Sequence, residues 1–509
     1  MRFSYQEYFE RMTADPHSWG KPLSALLGAL RMQLALGLPS IGGKDSMSGT
    51  FEEIHVPPTL IAFGIVPVRA SQVISPEFKK AGHPVYLLRH KALTDGMPDT
   101  DALKKIWDYV HGQIAAGRIV SAWSVGFGGI GEALAKMAFG NRLGFDVRLS
   151  EYDLFSLAYG SLVVEAAETL DAPFAEPLGF VTGGEVTVNG QSMELSDLKR
   201  ACDGRFAEIY PARVPLTGDP LPAFADVFCA DPAPAYPGEA VREPLAVLPV
   251  FPGTNCDYDT AAAFRAAGAR VRFSVFRNLT EQDVFDSIDR LCRDLEECQI
   301  LALSGGFSSG DEPDGSGKFI AGVLGNAKVA ARIEALLARK GLILGICNGF
   351  QALVKSGLLP GGRLGVTEED PTLFRNDINR HISQMVTTTV SSTRSPWLSG
   401  FRAGELHTVA VSHGEGKFVV DPALAERLFA NGQVAFRYAD PETGAPTLES
   451  PYNPNGSCFA IEGIISPDGL VLGKMGHSER AGEHLYRNIP AQVGESIFQN
   501  AVNYFRKEK

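Results

Sequence analysis

The pentapeptide Gly345-Ile346-Cys347-Asn348-Gly349 stands where the apolar run 342–346 gives way to the helical run 350–355. In a G-x-C-x-G elbow, small flanking residues tolerate a strained turn that lifts the central side chain above a sheet. The first turn of a helix is also where the dipole favours a thiolate. Cys347 is therefore the candidate nucleophile; the competing reading is a buried structural thiol, the common state of a free cysteine. Among ten histidines, His477 precedes Glu479 by two positions in Gly476-His477-Ser478-Glu479-Arg480, directly after an apolar run. Residues i and i+2 of an extended segment share a face, so the carboxylate can hold the imidazole in one tautomer. The candidate catalytic set is Cys347, His477 and Glu479, in that chain order. Acyl chemistry also needs backbone donors for an oxyanion. The N–H of Asn348 is one candidate, and Gly306 and Phe307, after the strand-like run 300–304, supply the others. The loop 251–257 lies at the same carboxyl end, where ligands bind in open α/β sheets. Cys256 within it reads as a bystander, because no histidine has comparable placement. His413 reads as a loop residue shaping a domain interface, and His381, His407 and His484 as structural.

Only a buried parallel sheet presents a cysteine in this way. From residue 245 onward, apolar runs at 245–250, 271–276, 300–304 and 342–346 alternate with helical runs at 258–267 and 328–339, the pattern of a doubly wound α/β fold. The later runs 384–390, 408–412, 434–438, 458–465 and 471–475 lie close together and read as antiparallel additions. Upstream, helical runs (23–36, 101–116, 131–137) and strand-like runs (60–66, 84–88, 145–149) read as an α+β unit, with 42–48 a glycine-led polar loop. Eight prolines between Tyr210 and Pro244 mark an extended connector. The expected division is 1–75 and 76–209 as two subdomains, a linker over 210–243, and an α/β unit over 244–509.

Composition narrows the partners. Hydrophobic residues at 45% and charged residues at 21% are those of a soluble globular chain. No apolar run is long enough for a membrane span, and the first residues lack the apolar core of a secretory signal. A net charge of −12 without a basic block argues against nucleic acid. Seven cysteines without a C-x-x-C pair fit free thiols in a reducing cytoplasm.

FPGTNCD (251–257), GGFSSGD (305–311), GICNGFQAL (345–353), VSHGEGKF (411–418) and NPNGS (453–457) resemble, in this order, the glutaminase domain of the phosphoribosylformylglycinamidine synthase family, a class I triad amidotransferase. GGKDSMS (42–48), VPPTLIAFGI (56–65) and EALAKMAFG (132–140) resemble the second synthetase repeat of the large fused form, related to aminoimidazole ribonucleotide synthetase. The resemblance implies a C–N-forming ligase of purine synthesis. Glutamine hydrolysis would supply ammonia, and ATP would drive conversion of formylglycinamide ribonucleotide to the amidine. It implies ATP or ADP with Mg²⁺ as cofactor, with Lys44, Ser46 and Ser48 at the phosphates and Asp45 at the metal, donor types suited to those ligands. It further implies an N-terminal synthetase half as partner, because the match begins inside the second repeat. Two other readings stay open: a catalytically silent ADP-binding docking piece, and a class I glutaminase serving another synthetase.

The sequence departs from the family in two further places. Gly476-His477-Ser478-Glu479 replaces a common P-H-P-E, so a looser backbone is expected there. Val125-Gly126-Phe127-Gly128-Gly129 replaces S-D-G-G, which counts against a working catalytic site in that half. The same segment forms G-x-G-x-x-G over 126–131, but a dinucleotide site would require a full βαβ unit around it.

Overall fold

The structure, a computed structural model, describes residues 1–215, 224–308, 316–483, 485, 486, 489 and 494–507, with backbone alone at 151 and 152. His484, residues 309–311 of the GGFSSGD motif and prolines 220 and 222 lie outside the described residues. The chain forms two compact units, Met1–Ile209 and Tyr210–Lys509.

In the second unit nine strands build one sheet. Their order is Arg270–Val275, Leu245–Val250, Ile300–Leu303, Leu342–Ile346, Val471–Lys474, Ile461–Ile465, Val434–Ala439, Ile382–Val390 and Leu406–His413. The first five are parallel and the remaining pairings antiparallel. Strands covered on both faces must be apolar throughout, and ILAL and LILGI are buried at every position. The fold is α/β in this unit. Helix Glu281–Glu297 was hidden in the sequence by its charge; its buried Ile288, Leu291, Cys292 and Leu295 still repeat at helical spacing.

The functionally decisive pairing is Val471–Lys474 beside Leu342–Ile346, in register Ile346↔Lys474. It brings the end of the chain against the cysteine elbow. In the connector, the described residues 224–243 are no free tether. Phe224 stacks on Phe429 at 4.9 Å, the Arg437 guanidinium donates to the Phe224, Ala225 and Val227 carbonyls, and Tyr236 packs against Tyr504 and Phe505.

In the first unit, Arg2–Tyr8 forms the centre of a three-stranded sheet between Ser40–Ser46 and Thr59–Ile65. Residues 42–46 are therefore strand rather than loop. Parallel pairing with 2–8 supplies the backbone partners, and Gly43 is small enough to let the Tyr5 carbonyl approach. Helix Pro16–Leu36 starts with Asp15 accepting from the His17 N–H and Pro16 in the first turn. It leaves Leu23, Leu26, Leu27, Leu30 and Leu34 exposed, and the sheet likewise exposes Ile41, Leu60, Ile61, Phe63 and Ile65.

A second sheet of seven strands runs Gln191–Glu194, Glu185–Val188, Phe145–Val147, Ala175–Val181, Pro84–Leu88, Leu162–Ala166 and Ile119–Ser124. Its order separates Ile119–Ser124 from Phe145–Val147 by three strands, so no βαβ unit surrounds 126–131. The Gly128 N–H there donates to the Glu132 carboxylate at 2.9 Å and so is already engaged within the segment. A dinucleotide reading of that motif is excluded.

Candidate active site

Cys347 caps the helix Asn348–Lys355 with φ 52° and ψ −106°, a conformation side-chain-bearing residues rarely adopt. Two backbone bonds impose it: Cys347 N–H donates to Lys474 O at 2.8 Å, and Gln351 N–H donates to Cys347 O at 3.0 Å. Glycine is required on both sides. A Cβ on Gly345 would lie 2.7 Å from the Gly349 backbone, and one on Gly349 would lie 2.8 Å from the Leu303 side chain.

His477 follows the strand Val471–Lys474 and is fixed by its N–H donating to Ala410 O at 2.8 Å. Its Nδ1 meets Glu479 Oε1 at 2.6 Å, with both side chains closed to solvent. Burial by itself would lower the histidine pKa. The Glu479 carboxylate and the adjoining Cys256 and Cys347 thiols outweigh that effect and raise it well above the ordinary value. The other ring nitrogen, Nε2, is buried without an aligned hydrogen-bond partner among the described residues.

The loop between them is tight. Ser478 is buried, and its hydroxyl bonds the Glu495 carboxylate and accepts from Lys474 Nζ at 3.1 Å. Lys474 Nζ in turn sits 2.6 Å from Glu495 and 3.7 Å from Glu462, all three side chains fully buried. The looseness expected from the missing prolines is thus not found, because hydrogen bonds replace the ring constraint.

These groups open on a cavity of about 100 Å³ lined by Cys347, His477, Gly306, Phe307, Cys256, Gln351, His413, Glu415 and Arg480, among others. Phe307 lines it as a wall, but its N–H is committed to Gly253 O at 2.9 Å. The expectation of a Phe307 oxyanion donor is therefore corrected: the cross-loop bridge Thr254↔Gly306 uses it up. The Gly306 N–H takes no part in that bridge, and Asn348 is nearly fully buried at the helix start beside Cys347.

Two further expectations change. Cys256 is no bystander: it is buried, Arg480 Nη2 donates to its Sγ at 3.2 Å, and its thiol adjoins the His477 ring. His413 is the last residue of the strand Leu406–His413 and a wall of the cavity, rather than an interface loop. Its Nδ1 meets Asn376 Oδ1 at 3.2 Å. Burial, followed by the neighbouring His477 and His381, lowers its pKa to about 3, so this imidazole stays neutral. Glu415 accepts from Ser316 N–H and Oγ, both at 2.8 Å. Glu415 and Gln351 went unnoticed in the sequence, because a glutamate or glutamine in a polar stretch carries no signal of its own.

In the first unit Lys44, Asp45 and Ser46 lie on the strand Ser40–Ser46, with Ser48 just beyond it. Lys44 Nζ donates to Asp45 O at 2.9 Å. Asp45 stands opposite Glu7, whose pKa is raised by burial and then by Asp45. Glu7 lay in a strand the sequence did not announce. Among the described residues, the group of three potential metal-ligating side chains is elsewhere, at Cys256, His477 and Glu479.

Comparison with known proteins bears on the second unit. The CobB/CobQ-like glutamine amidotransferase domain family matches residues 243–505. The phosphoribosylformylglycinamidine synthase subunit PurQ of Synechococcus sp. (strain JA-2-3B'a(2-13)) is 36% identical over 258 residues, which are 50% of this chain and 95% of that protein. The PurQ subunit of Chlorobaculum tepidum is 35% identical over 252 residues, 49% of this chain and 93% of that protein. A solved structure of PurLQS from Thermotoga maritima aligns over 52% of this chain and 99% of that chain, at 28% identity and a TM-score of 0.38.

Proposed function

The chain belongs to the CobB/CobQ-like glutamine amidotransferase family, and on that premise we propose that residues 244–509 hydrolyse glutamine to supply ammonia for phosphoribosylformylglycinamidine synthesis. The observation that carries this reading is the convergence of a strained Cys347, a buried His477–Glu479 pair and a small polar cavity. Cys347 Sγ attacks the carboxamide carbon of glutamine. The oxyanion is held by the N–H groups of Gly306 and Asn348. The Cys347 thiol proton passes to His477, which holds it beside Glu479, gives it to the departing ammonia and returns as the base that activates water against the glutamyl thioester. Glu479 keeps the ring in one orientation throughout. Arg480 and Glu415 offer opposite charges to the α-carboxylate and α-ammonium groups.

Residues 1–209 are proposed as part of a synthetase repeat that takes ATP or ADP. Asp45 with Glu7 would hold Mg²⁺, and Lys44, Ser46 and Ser48 would meet the phosphates. Bound Mg-ATP supplies the phosphoryl group that activates the amide of formylglycinamide ribonucleotide for attack by ammonia. The apolar side chains exposed on 16–36 and on the three-stranded sheet support a further partner, the other synthetase half, on the same or another polypeptide. A cytoplasmic location accords with the free thiols.

The test is amidation of formylglycinamide ribonucleotide from glutamine and ATP, with and without an added synthetase half. Activity that requires the added half supports the reading. Activity with ammonium salts but not with glutamine would remove the glutaminase role from Cys347 and His477. Silence with both would leave a docking piece.

A further inference from the structure

Lys474 ends the strand Val471–Lys474 and takes no part in the proposed chemistry, yet it is bonded to both halves of the catalytic set. Its carbonyl accepts the Cys347 N–H at 2.8 Å, one of the two bonds that impose the strained φ of the nucleophile. Its ammonium reaches the turn that carries His477 and Glu479, where Ser478 Oγ accepts from Nζ at 3.1 Å. A buried ammonium is costly unless it is paired. Nζ lies 2.6 Å from Glu495 Oε2, 3.7 Å from Glu462 Oε1 and 4.8 Å from the centre of the Phe436 ring. The same two carboxylates also hold the turn directly. Glu462 accepts the Gly476 N–H at 2.5 Å, and the Ser478 hydroxyl bonds Glu495. Glu495 is steadied in turn by Thr388 Oγ1, which donates at 3.4 Å, with His407 Nδ1 3.7 Å away. Both residues flanking His477 are thus gripped by groups that meet at one ammonium. Burial works against that charge, but Glu462, Glu495 and Glu479 outweigh it and raise the lysine pKa, so the side chain stays protonated. Packing alone does not explain the cluster, because apolar side chains of similar volume commonly fill such a space with equal or greater stability.

We propose that Lys474 is a positioning residue of the glutaminase: its carbonyl fixes the Cys347 elbow, its ammonium fixes the turn 476–479 through Ser478 and Glu495, and the two together set the imidazole against the thiol. The inference rests on the glutaminase reading above. With the ammonium in place, His477 is held where it can take the thiol proton, and its charge favours the Cys347 thiolate. Without the ammonium the turn loses a shared anchor while the elbow keeps its own. A displacement of about 1 Å between reacting groups lowers the rate by about 100-fold. The cavity walls that face glutamine are held by other bonds, Arg480 to Cys256 and Glu415 to Ser316, so substrate binding is spared.

The test uses the full chain carrying Lys474→Met together with Glu495→Gln, which removes both charges of the close pair at once. Glu462 is left to take up a proton, toward which burial already pushes it. Alkylation of Cys347 by iodoacetamide is followed across pH on its own peptide by mass spectrometry, and glutamine hydrolysis is measured with an added synthetase half. The alkylation midpoint should move to higher pH by about one unit, a tenfold weaker hold on the thiolate. The kcat should fall about 100-fold, while KM for glutamine changes by less than about threefold. Ser478→Ala, which cuts the link and keeps both charges, should move both readouts in the same direction. Added to the double variant it should cost nothing further, because the two changes act through one bond. A role in stability alone would lower urea resistance and leave the midpoint and the kcat per folded chain as in the parent; that result overturns the proposal. Where the double variant does not fold, Ser478→Ala decides by the same two readouts. A parent chain that hydrolyses glutamine, with variants that match it, overturns the positioning role alone. A parent chain that fails to hydrolyse glutamine and whose Cys347 titrates as an ordinary thiol overturns the glutaminase reading as well.

Discussion

His477 Nδ1 lies 2.6 Å from Glu479 Oε1, and neither side chain reaches solvent. In so dry a setting the carboxylate governs when the imidazole carries its proton. Glu479→Gln keeps the shape and removes the charge, so the His477 pKa should fall. The alkaline limb of the glutaminase pH profile should then move to lower pH, and turnover should drop by about 10⁴-fold, as when a triad orienter loses its charge. An unmoved limb would dissociate the pair from the reaction. The linkage runs in the same sense: a raised histidine pKa contributes stability that is complete below about pH 6.5 and is lost as pH rises through the folded-state value.

Cys347→Ser should abolish glutamine hydrolysis, lowering it by about 10⁶-fold, the loss seen on removing a catalytic nucleophile. Ammonium-dependent amidation in the reconstituted enzyme should continue. Steady-state assays with the two nitrogen donors, run side by side, check both statements; equal loss with both donors would point to misfolding.

His413 has the opposite pH signature. Its pKa is lowered to about 3 by burial, so it contributes stability that is present above about pH 6.5 and declines as pH falls toward that lower value. His413→Gln, which keeps a polar group near Asn376, should flatten the loss of urea resistance between pH 7 and about pH 4. An acid dependence identical to that of the parent chain would refute the assignment.

The Lys474–Glu495 pair is buried completely and also holds Ser478. Glu495→Ala leaves a buried ammonium with only the more distant Glu462, so unfolding free energy should fall by about 3–5 kcal/mol. Denaturant melts give the number. Ser478→Ala, which removes only a hydroxyl, should cost about 1 kcal/mol and lower turnover without changing the fold by circular dichroism.

Gly349→Ala tests the elbow. The added methyl would crowd Leu303, and overpacking of this kind costs about 1–3 kcal/mol. Because the strain falls beside Cys347, alkylation of that thiol should slow more than stability alone accounts for; unchanged reactivity would mean that the elbow tolerates the methyl.

What the sequence determined by itself follows from local physics. The apolar runs at 245–250, 300–304 and 342–346 alternate with helical runs and so read as buried parallel strands, and the small-residue turn after the last of them marked Cys347 as the candidate for a strained, projecting position. Glu479 stood two positions from His477, so their shared face was legible from spacing. Other features depended on contacts between distant segments. The strand 40–46 looked like a loop because its pairing partner, 2–8, supplies the backbone bonds that glycine-rich chain does not favour alone. Cys256 and His413 looked idle because neither lies near His477 along the chain; insertion of 471–474 beside 342–346 is what carries the imidazole to both. The Phe307 N–H looked available until the cross-loop bond to Gly253 claimed it. Spacing along a chain fixes which side chains share a face, whereas hydrogen-bond partners and buried charge depend on what the sheet order brings alongside.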